Sequence, residues 1–179
     1  AQAQESEAHY LANEGLMIVN GDTKIMFDPL YRESYGQYLL LPDEIEKGIF
    51  AGTAPYDEID AIFISHHHGD HFSPEDILRL LEAQPRIKLY APAQAVIAMR
   101  AIANNDQTAI FNRIPGVSLK YKDEPISLRM EGLLIEAVRI PHSGWPTGRL
   151  GIENIVWRVR LNNQTTVLHM GDADPNDIH

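Results

Sequence analysis

The chain has 179 residues, of which 44% are hydrophobic and 22% charged, as in one globular domain with enough apolar side chains for a core. A net charge of -10 without any lysine and arginine cluster argues against a surface that follows a nucleic-acid backbone, so we expect no nucleic-acid partner. No stretch approaches the roughly 20 apolar residues of a membrane-spanning helix, and zero cysteines exclude disulfides and thiolate metal ligands.

The N-terminus suggests export. The chain begins Ala1-Gln2-Ala3-Gln4 without a methionine and then becomes polar. This is typical of a secreted chain after a signal peptide has been removed at a small-residue site, although artificial trimming or the remnant of a tag would look the same. We therefore expect a periplasmic or secreted protein, or a cytoplasmic one under the second explanation, with a single domain over residues 1–179.

Two strand-like runs near the N-terminus are separated by a turn. Leu16–Val19 and Thr23–Phe27 flank Asn20-Gly21, and this dipeptide between two apolar runs predicts a β-hairpin. The second strand closes on Asp28-Pro29.

A long loop follows from Leu30 to Tyr56. It is rich in Tyr, Gly and Pro and contains only a short helical stretch near Asp43 to Lys47. Loops of this length in compact domains are often functional. Three of its tyrosines are therefore candidates for a substrate-facing wall, with ordinary packing as the alternative: Tyr31, Tyr35 and Tyr38.

The apolar run Ile59–Ile64 predicts a strand that is buried on both faces. A histidine-rich segment follows, and Ser73-Pro74-Glu75-Asp76 then supplies an N-cap, a proline at the first helical position and an acid at the capping-box position. Ile77, Leu80 and Leu81 recur at helical spacing. The predicted order is strand, loop and helix.

The next segment repeats this order, with Ile87–Tyr90 as a strand and Ala93–Ala103 as a helix that Asn104-Asn105 ends. Beyond Gly116 the chain is mostly β, and Asn162-Asn163 predicts a hairpin turn. The predicted strands of this half are Val117–Tyr121, Ile126–Arg129, Leu133–Ile140, Asn154–Leu161 and Thr165–His169.

The histidine-rich segment contains the pattern H-x-H-x-D-H. Residues two apart in an extended segment face the same way, so His66 and His68 can reach one metal ion, while Asp70 and His71 at the turn can reach a second. Gly69 allows the bend. A nonspecific metal-binding tract, a nickel-storage patch or a tag would also contain such a run, but its place between an apolar strand and a capped helix indicates a metal site.

The pattern resembles the signature of the metallo-β-lactamase superfamily, and three further motifs follow the order of that family. They are the apolar strand that ends in Asp28-Pro29, the isolated His142 at a strand end, and Gly171-Asp172 after a later apolar strand. The resemblance covers residues 16 to 172. It implies the α/β class and an αββα sandwich, and among branches it is closest to the lactonases and the phospholipase-D-like enzymes.

Carried over by position, the resemblance implies two zinc ions. The implied ligands are His66, His68 and His142 for the first ion, Asp70 and His71 for the second, and Asp172 as a bridge. We predict Asp70 and Asp172 also as the catalytic carboxylates. The implied activity is zinc-dependent hydrolysis, in which a metal-bridging hydroxide attacks an ester, lactone or phosphodiester bond of a small molecule.

Two alternatives stay open. The first is a noncatalytic metal-binding protein on the same scaffold. The second concerns the metal, since iron and manganese can occupy related sites, although iron-type members tend to place a glutamate where this chain has His68.

One departure from the family pattern concerns the end of the chain. The last family ligand of the second zinc is a histidine after another helix and strand, whereas this sequence ends seven residues past Asp172. His179 is too close to Asp172 for that role. We therefore expect the sandwich to lack its last helix and strands, because the chain is truncated or processed or because another segment supplies them. We also expect an oligomer that covers the exposed sheet edge.

Five residues near the motifs have less definite predicted roles. His67 should point away from the metals and be structural. His169 is predicted to be structural, with support of a metal ligand or protonation of a leaving group as alternatives. The residues that flank His142, and that either line the pocket or lie at the surface, are Arg139, Trp145 and Arg149; an arginine there would suit an anionic substrate group.

Overall fold

The structure is a computed structural model that describes residues 5–174. Residues 1–4, which carry the expectation of export, and His179 lie outside the described residues. Within residues 5–174, no helix has both the length and the apolar character needed to cross a membrane.

The described residues form two β-sheets. The strands of the first are β1 (Ser6–Ala12), β2 (Gly15–Asn20), β3 (Thr23–Phe27), β4 (Ala61–Phe63), β5 (Lys88–Pro92) and β6 (Gly116–Val117), and they lie in this order across the sheet. The strands of the second are β7 (Ile126–Met130), β8 (Leu133–Arg139), β9 (Ile155–Leu161) and β10 (Thr165–His169), in the order β10-β9-β8-β7.

Strand direction decides where the functional loops emerge. β1, β2 and β3 are antiparallel to one another, whereas β3, β4, β5 and β6 are parallel. Phe27 of β3 pairs with Phe63 of β4, and the Asp28 amide donates to the Phe63 carbonyl at 3.0 Å. The Asp28-Pro29 corner and the histidine segment therefore leave neighbouring strands at the same edge of the sheet, where ligand sites of α/β proteins form.

The helices pack on one face of the first sheet. They are α1 (Asp43–Ala51), α2 (Pro74–Ala83), α3 (Ala93–Ile102) and a 3-10 helix (Asn105–Arg113). The predicted N-cap of α2 is confirmed, because the Ser73 side chain accepts a hydrogen bond from the Asp76 amide at 3.3 Å.

The core has two layers, one on each face of the first sheet. Alternate side chains of β3 point to opposite faces: Met26 packs with the helices, whereas Ile25 and Phe27 pack against the second sheet. Trp157 of β9 is fully buried between the sheets, and its indole N–H donates to the Ile64 carbonyl at 2.9 Å. The predicted α/β class and two-sheet sandwich are confirmed.

The sequence-based assignment of elements needs four corrections. It missed β1 and the 3-10 helix, and α1 continues beyond Lys47 to Ala51. Of the predicted strand Val117–Tyr121 only Val117 lies in a strand, as the last residue of β6, because the chain then bends into a turn in which the Lys120 amide donates to the Asp123 carboxylate at 2.7 Å.

Candidate metal centre

The histidine segment turns sharply between β4 and α2. The amides of His71 and Phe72 both donate to the His68 carbonyl, at 3.0 and 2.9 Å. A Cβ on Gly69 would lie 2.5 Å from the Glu33 Cγ, so close packing explains the glycine at this position. The turn brings His66, His68, Asp70 and His71 to one edge of the sheet.

Three imidazoles form the first group of predicted ligands. One ring nitrogen each of His66, His68 and His142 lie within 4.8 Å of one another. His142 Nε2 is 3.1 Å from His68 Nδ1, and the other ring nitrogen of His142 lies 2.9 Å from the Ser143 carbonyl. An Nδ1–H donor to that carbonyl leaves the Nε2 lone pair directed at the other two rings.

Pairing between two distant segments places His142. His142 forms an antiparallel bridge with Ala173, and the Ser143 amide donates to the Asp172 carbonyl at 2.7 Å. The loop after β8 and the loop after β10 therefore lie side by side. This pairing sets His142 and Asp172, 30 residues apart in the sequence, against the histidine segment.

Asp172 lies between the two predicted metal positions. Its Oδ2 is 3.3 Å from His142 Nε2, and its Oδ1 is 3.3 Å from His71 Nε2. One carboxylate thus directs one oxygen to each group of ligands, as a bridging ligand would. Asp70 also lies near His71, with its Oδ2 3.9 Å from His71 Nε2.

Two buried polar atoms test whether these residues suit a metal. Among residues 5–174, four buried side-chain atoms have no hydrogen-bond partner: His66 Nε2 and Asp70 Oδ1, which belong to predicted ligands, and the Nδ1 atoms of His67 and His169, which do not. A buried acceptor without a partner is costly and calls for an explanation such as a bound ion. Imidazole nitrogens and carboxylate oxygens are the donors that zinc and similar divalent metals accept in proteins without cysteine, so the donor set suits such an ion.

Burial and neighbouring charges shift the pKa values of the predicted ligands in different directions. Burial and the neighbouring His71 lower the pKa of His66 to about 2, so the ring is neutral and has a free lone pair at neutral pH. Hydrogen bonds with His142 and His71 hold the pKa of Asp172 far below its usual range. Burial lowers the pKa of His71, but its bonds to Asp172 and Asp28 outweigh this and raise the pKa to about 10 in the metal-free state.

The Asp28 side chain supports His71, a role that was not predicted from the sequence. Asp28 is 1% exposed, and its Oδ2 lies 2.9 Å from His71 Nδ1. Its Oδ1 accepts the Ser65 amide at 2.8 Å, and the Ser65 hydroxyl donates to Oδ2 at 2.5 Å. A carboxylate that holds Nδ1–H fixes the tautomer in which Nε2 faces the metal. The Asp-Pro motif was the only sequence signal.

Asn154 was missed altogether. It is fully buried before β9, its Oδ1 accepts the Asp172 amide at 3.1 Å, and its Nδ2 donates to the Met170 carbonyl at 3.1 Å. Gly171 makes this approach possible, since it has φ +53° and a Cβ there would lie 2.6 Å from Asn154 Oδ1. Asn154 therefore positions the loop that carries Asp172.

His67 lies apart from the ligand groups. Burial and the neighbouring His142 lower its pKa, and they outweigh the Glu153 carboxylate and a hydrogen bond with Gln94, which raise it. Gln94 belongs to the start of α3, and Glu153 to the segment before β9. We expect His67→Ala to leave the metal-to-protein ratio unchanged, because His67 belongs to none of the ligand groups found among the described residues. Elemental analysis of the purified variant beside the wild type checks this, and a loss of metal would contradict the placement of His67.

His169 stands behind the ligands, on the far side of Asp28. Its ring stacks on Phe27 with centroids 4.9 Å apart, and its Nε2 donates to the Glu14 carbonyl at 3.0 Å. A ring nitrogen of His169 and one carboxylate oxygen each of Glu14 and Asp28 lie within 4.8 Å of one another. The packing favours the predicted structural role over protonation of a leaving group.

A cavity of about 400 Å³ opens above the ligand groups. Its lining residues are Tyr35, Gln37, Tyr38, His68, Asp70, Arg149 and Asp172. Of the candidates named from the sequence, Tyr31 is buried in the core instead, Arg139 bonds to the Leu119 carbonyl at 3.3 Å, and Trp145 packs on Tyr121 with ring centroids 5.0 Å apart. The volume is that of a small-molecule site.

Comparison with solved structures shows the fold. The metallo-β-lactamase fold protein YhfI from Bacillus subtilis is 16% identical, with a TM-score of 0.56 over 96% of this chain and 58% of that one. An isothiocyanate hydrolase from Delia radicum gut bacteria is 15% identical, with a TM-score of 0.53 over 95% of this chain and 64% of that one. CmlA, a diiron β-hydroxylase from Streptomyces venezuelae, is 16% identical, with a TM-score of 0.54 over 97% of this chain and 31% of that one. This chain thus spans less than two thirds of the length of each.

Comparison with curated proteins gave no match. The model of the family described as beta-lactamase superfamily domain matches residues 24–178, which include all six predicted ligands. The match extends over most of the sequence, and the fold is that of the metallo-β-lactamase fold protein YhfI, so this chain belongs to the β-lactamase superfamily and has the metallo-β-lactamase fold.

Proposed function

We propose that the protein is a zinc-dependent hydrolase that cleaves an ester, lactone or phosphodiester bond of a small molecule. The observation that carries the proposal is the convergence of six side chains, of which His68, Asp70 and Asp172 line the 400 Å³ cavity. Two atoms of this group, His66 Nε2 and Asp70 Oδ1, are buried without hydrogen-bond partners among the described residues. Solved structures of the same fold include one named an isothiocyanate hydrolase.

The chain's own residues define the chemistry of the proposed site. His66, His68 and His142 would hold the first metal, and Asp70 and His71 the second, with Asp172 between them. When bound, a pair of divalent metals supplies Lewis acidity and lowers the pKa of water into the neutral range. Asp28 holds the His71 Nδ1 proton and so keeps the opposite nitrogen free.

Zinc is favoured over iron by the donor set. The site offers four imidazoles and two carboxylates, and imidazole at the position of His68 gives a nitrogen-rich first group. The diiron neighbour CmlA makes iron the alternative to test. Elemental analysis of protein purified without added metal, followed by reconstitution with zinc, manganese or iron, separates the three.

The direct test is turnover by metal-loaded protein on a panel of lactones, phosphodiesters, thioesters and β-lactams. We expect about two metal ions per chain, activity that a chelator removes, and recovery of that activity when zinc is added back. Wild type and His67→Ala should behave alike, since His67 lies outside the ligand groups. At most one bound metal without turnover of any substrate would instead indicate the noncatalytic metal-binding protein.

A further inference from the structure

We propose that Arg149 forms a subsite for an oxyanion group of the substrate, a carboxylate or a phosphate that is separate from the bond being cleaved, with Tyr35 and Tyr38 as further lining residues of the same cavity. This inference rests on the proposed hydrolase function and specifies its substrate class.

The subsite shares one cavity with the candidate metal centre. Arg149 lines this cavity together with His68 and Asp172, and the exposed Tyr35 and Tyr38 line it from another segment of the chain. A small molecule at the metal centre therefore contacts these side chains as well. The cavity is large enough for a substrate with a group on each side of the scissile bond.

The arginine is held at the cavity but its charge is not neutralised. Arg149 donates a hydrogen bond to the Ser143 hydroxyl at 3.4 Å, next to His142. Within residues 5–174 it forms no ion pair with a carboxylate, whereas Arg32 pairs with Asp76 at 2.6 Å. Among the described residues the Ser143 hydroxyl is the one hydrogen-bond partner of its guanidinium, and the planar arrangement of the guanidinium N–H groups matches the two oxygens of a carboxylate or phosphate.

The backbone at Arg149 is strained for a residue with a side chain. Its φ is +57°, in the left-handed region that residues other than glycine rarely adopt. Such strain of about 1 kcal/mol or more is found where the surrounding structure imposes it, and it concentrates at ligand-binding positions. Tyr35, which lines the same cavity, also has a positive φ, of +47°.

The segment that carries Tyr35 and Tyr38 is joined to the histidine segment by hydrogen bonds. The amides of Arg32 and Glu33 both donate to the Gly69 carbonyl, at 3.1 and 2.9 Å. The amide of Tyr38 donates to the Ser34 carbonyl at 2.9 Å and closes the turn that presents the tyrosines. These hydrogen bonds hold the loop beside the segment that carries the predicted ligands. The phenol hydroxyls of the loop can donate hydrogen bonds to an oxyanion.

The charges around the cavity favour an anion. Asp70 and Asp172 are the carboxylates of the lining, and both are predicted ligands whose charge two divalent ions would exceed. Arg149 then adds a further positive charge. An anionic group of the substrate could form an ion pair with the Arg149 guanidinium, whereas a neutral substrate could not.

Two matched esters test the subsite. We expect zinc-loaded protein to cleave 4-nitrophenyl hydrogen adipate with a kcat/KM roughly tenfold or more above that for its neutral methyl ester, because the distal carboxylate can pair with Arg149 and is too far along the chain for rapid attack on its own ester. Arg149→Met should remove this preference and Arg149→Lys should keep part of it. Arg86→Met is the control, since Arg86 is an exposed arginine outside the cavity. A preference that persists in Arg149→Met would overturn the proposal.

A binding measurement separates failure of the subsite from failure of the proposed function. Calorimetric titration of the purified protein with benzoate, phenyl phosphate and neutral benzamide requires no turnover. We expect Arg149→Met to weaken the binding of one or both anions by roughly tenfold without changing that of benzamide, and the anion with the larger loss identifies the group. Equal affinities in wild type and Arg149→Met would refute the subsite even if the esters are hydrolysed.

Discussion

Replacing His142 with alanine is expected to lower the affinity for the first metal by more than about 100-fold, since even changes to residues behind a ligand cost roughly 10–100-fold. His142 is 1% exposed and contributes the nitrogen that lies 3.1 Å from His68 and 3.3 Å from Asp172. Without it, His66 and His68 alone remain in the first group, and hydrolytic activity should disappear with the metal. Competition with a chelator of known affinity measures the change.

The matched control for this prediction is His67→Ala, which removes an imidazole from the same segment but from none of the ligand groups. Thermal unfolding of both metal-free variants checks that the fold survives, because the His142 ring also contacts Asp172 and bonds to the Ser143 carbonyl. A folded His142→Ala protein that keeps wild-type zinc affinity would remove His142 from the proposed ligand set.

Local sequence predicted the part of the site that lies within one short segment. The spacing of His66, His68, Asp70 and His71 is sufficient because the backbone between β4 and α2 has little choice: an extended stretch, a turn and a capped helix. His142 and Asp172 could be proposed only from the order of motifs in a family. Their contact depends on pairing between loops after β8 and β10, which no local pattern encodes.

The supporting residues were harder to predict because their roles arise from strand register. Asp28 reaches Ser65 and His71 only because β3 and β4 are parallel neighbours with Phe27 opposite Phe63. Asn154 carries no motif, and its role exists only where the loop of Gly171 passes over it.

The two missed elements have local explanations. β1 is an edge strand with mostly exposed side chains, so it lacks the apolar alternation that marks β2 and β3. Asn104 was interpreted as the end of a helix, but its side chain also accepts bonds from the Asp106 and Gln107 amides and begins the 3-10 helix.

The Asp28→Asn variant tests the residue that connects the fold with the site. Asp28 accepts the Ser65 amide, the Ser65 hydroxyl and the His71 Nδ1 proton, all while fully buried. An asparagine amide would donate where the carboxylate accepts, so the neutral His71 ring would carry its proton on Nε2, toward the metal position. We expect zinc affinity to fall by roughly 10–100-fold, and the metal-free protein to lose about 3–5 kcal/mol of unfolding free energy, as when a buried ion pair is broken.

The pH dependence of this loss identifies its cause. In the metal-free wild type, the pKa of His71 is raised from 6.5 to about 10, so the stabilisation is complete below pH 6.5 and is lost as the pH rises toward 10. Although burial raises it, the bond from His71 holds the pKa of Asp28 below 3.8, so the contribution of Asp28 is lost only in stronger acid. The free-energy difference between wild type and Asp28→Asn should therefore be largest between about pH 4 and 6.5 and shrink above that range.

Urea unfolding of both metal-free proteins across this pH range measures the difference, with Asp57→Asn as the control. Asp57 pairs with Lys24 at 2.5 Å on the surface, so its loss removes an ion pair without exposing a buried donor. If the destabilisation of Asp28→Asn does not change between pH 6 and 10, then the lost stability comes from packing around Asp28 and not from its charge pair with His71. In that case the zinc affinity of Asp28→Asn should also stay near the wild-type value, since the His71 tautomer would not depend on the carboxylate.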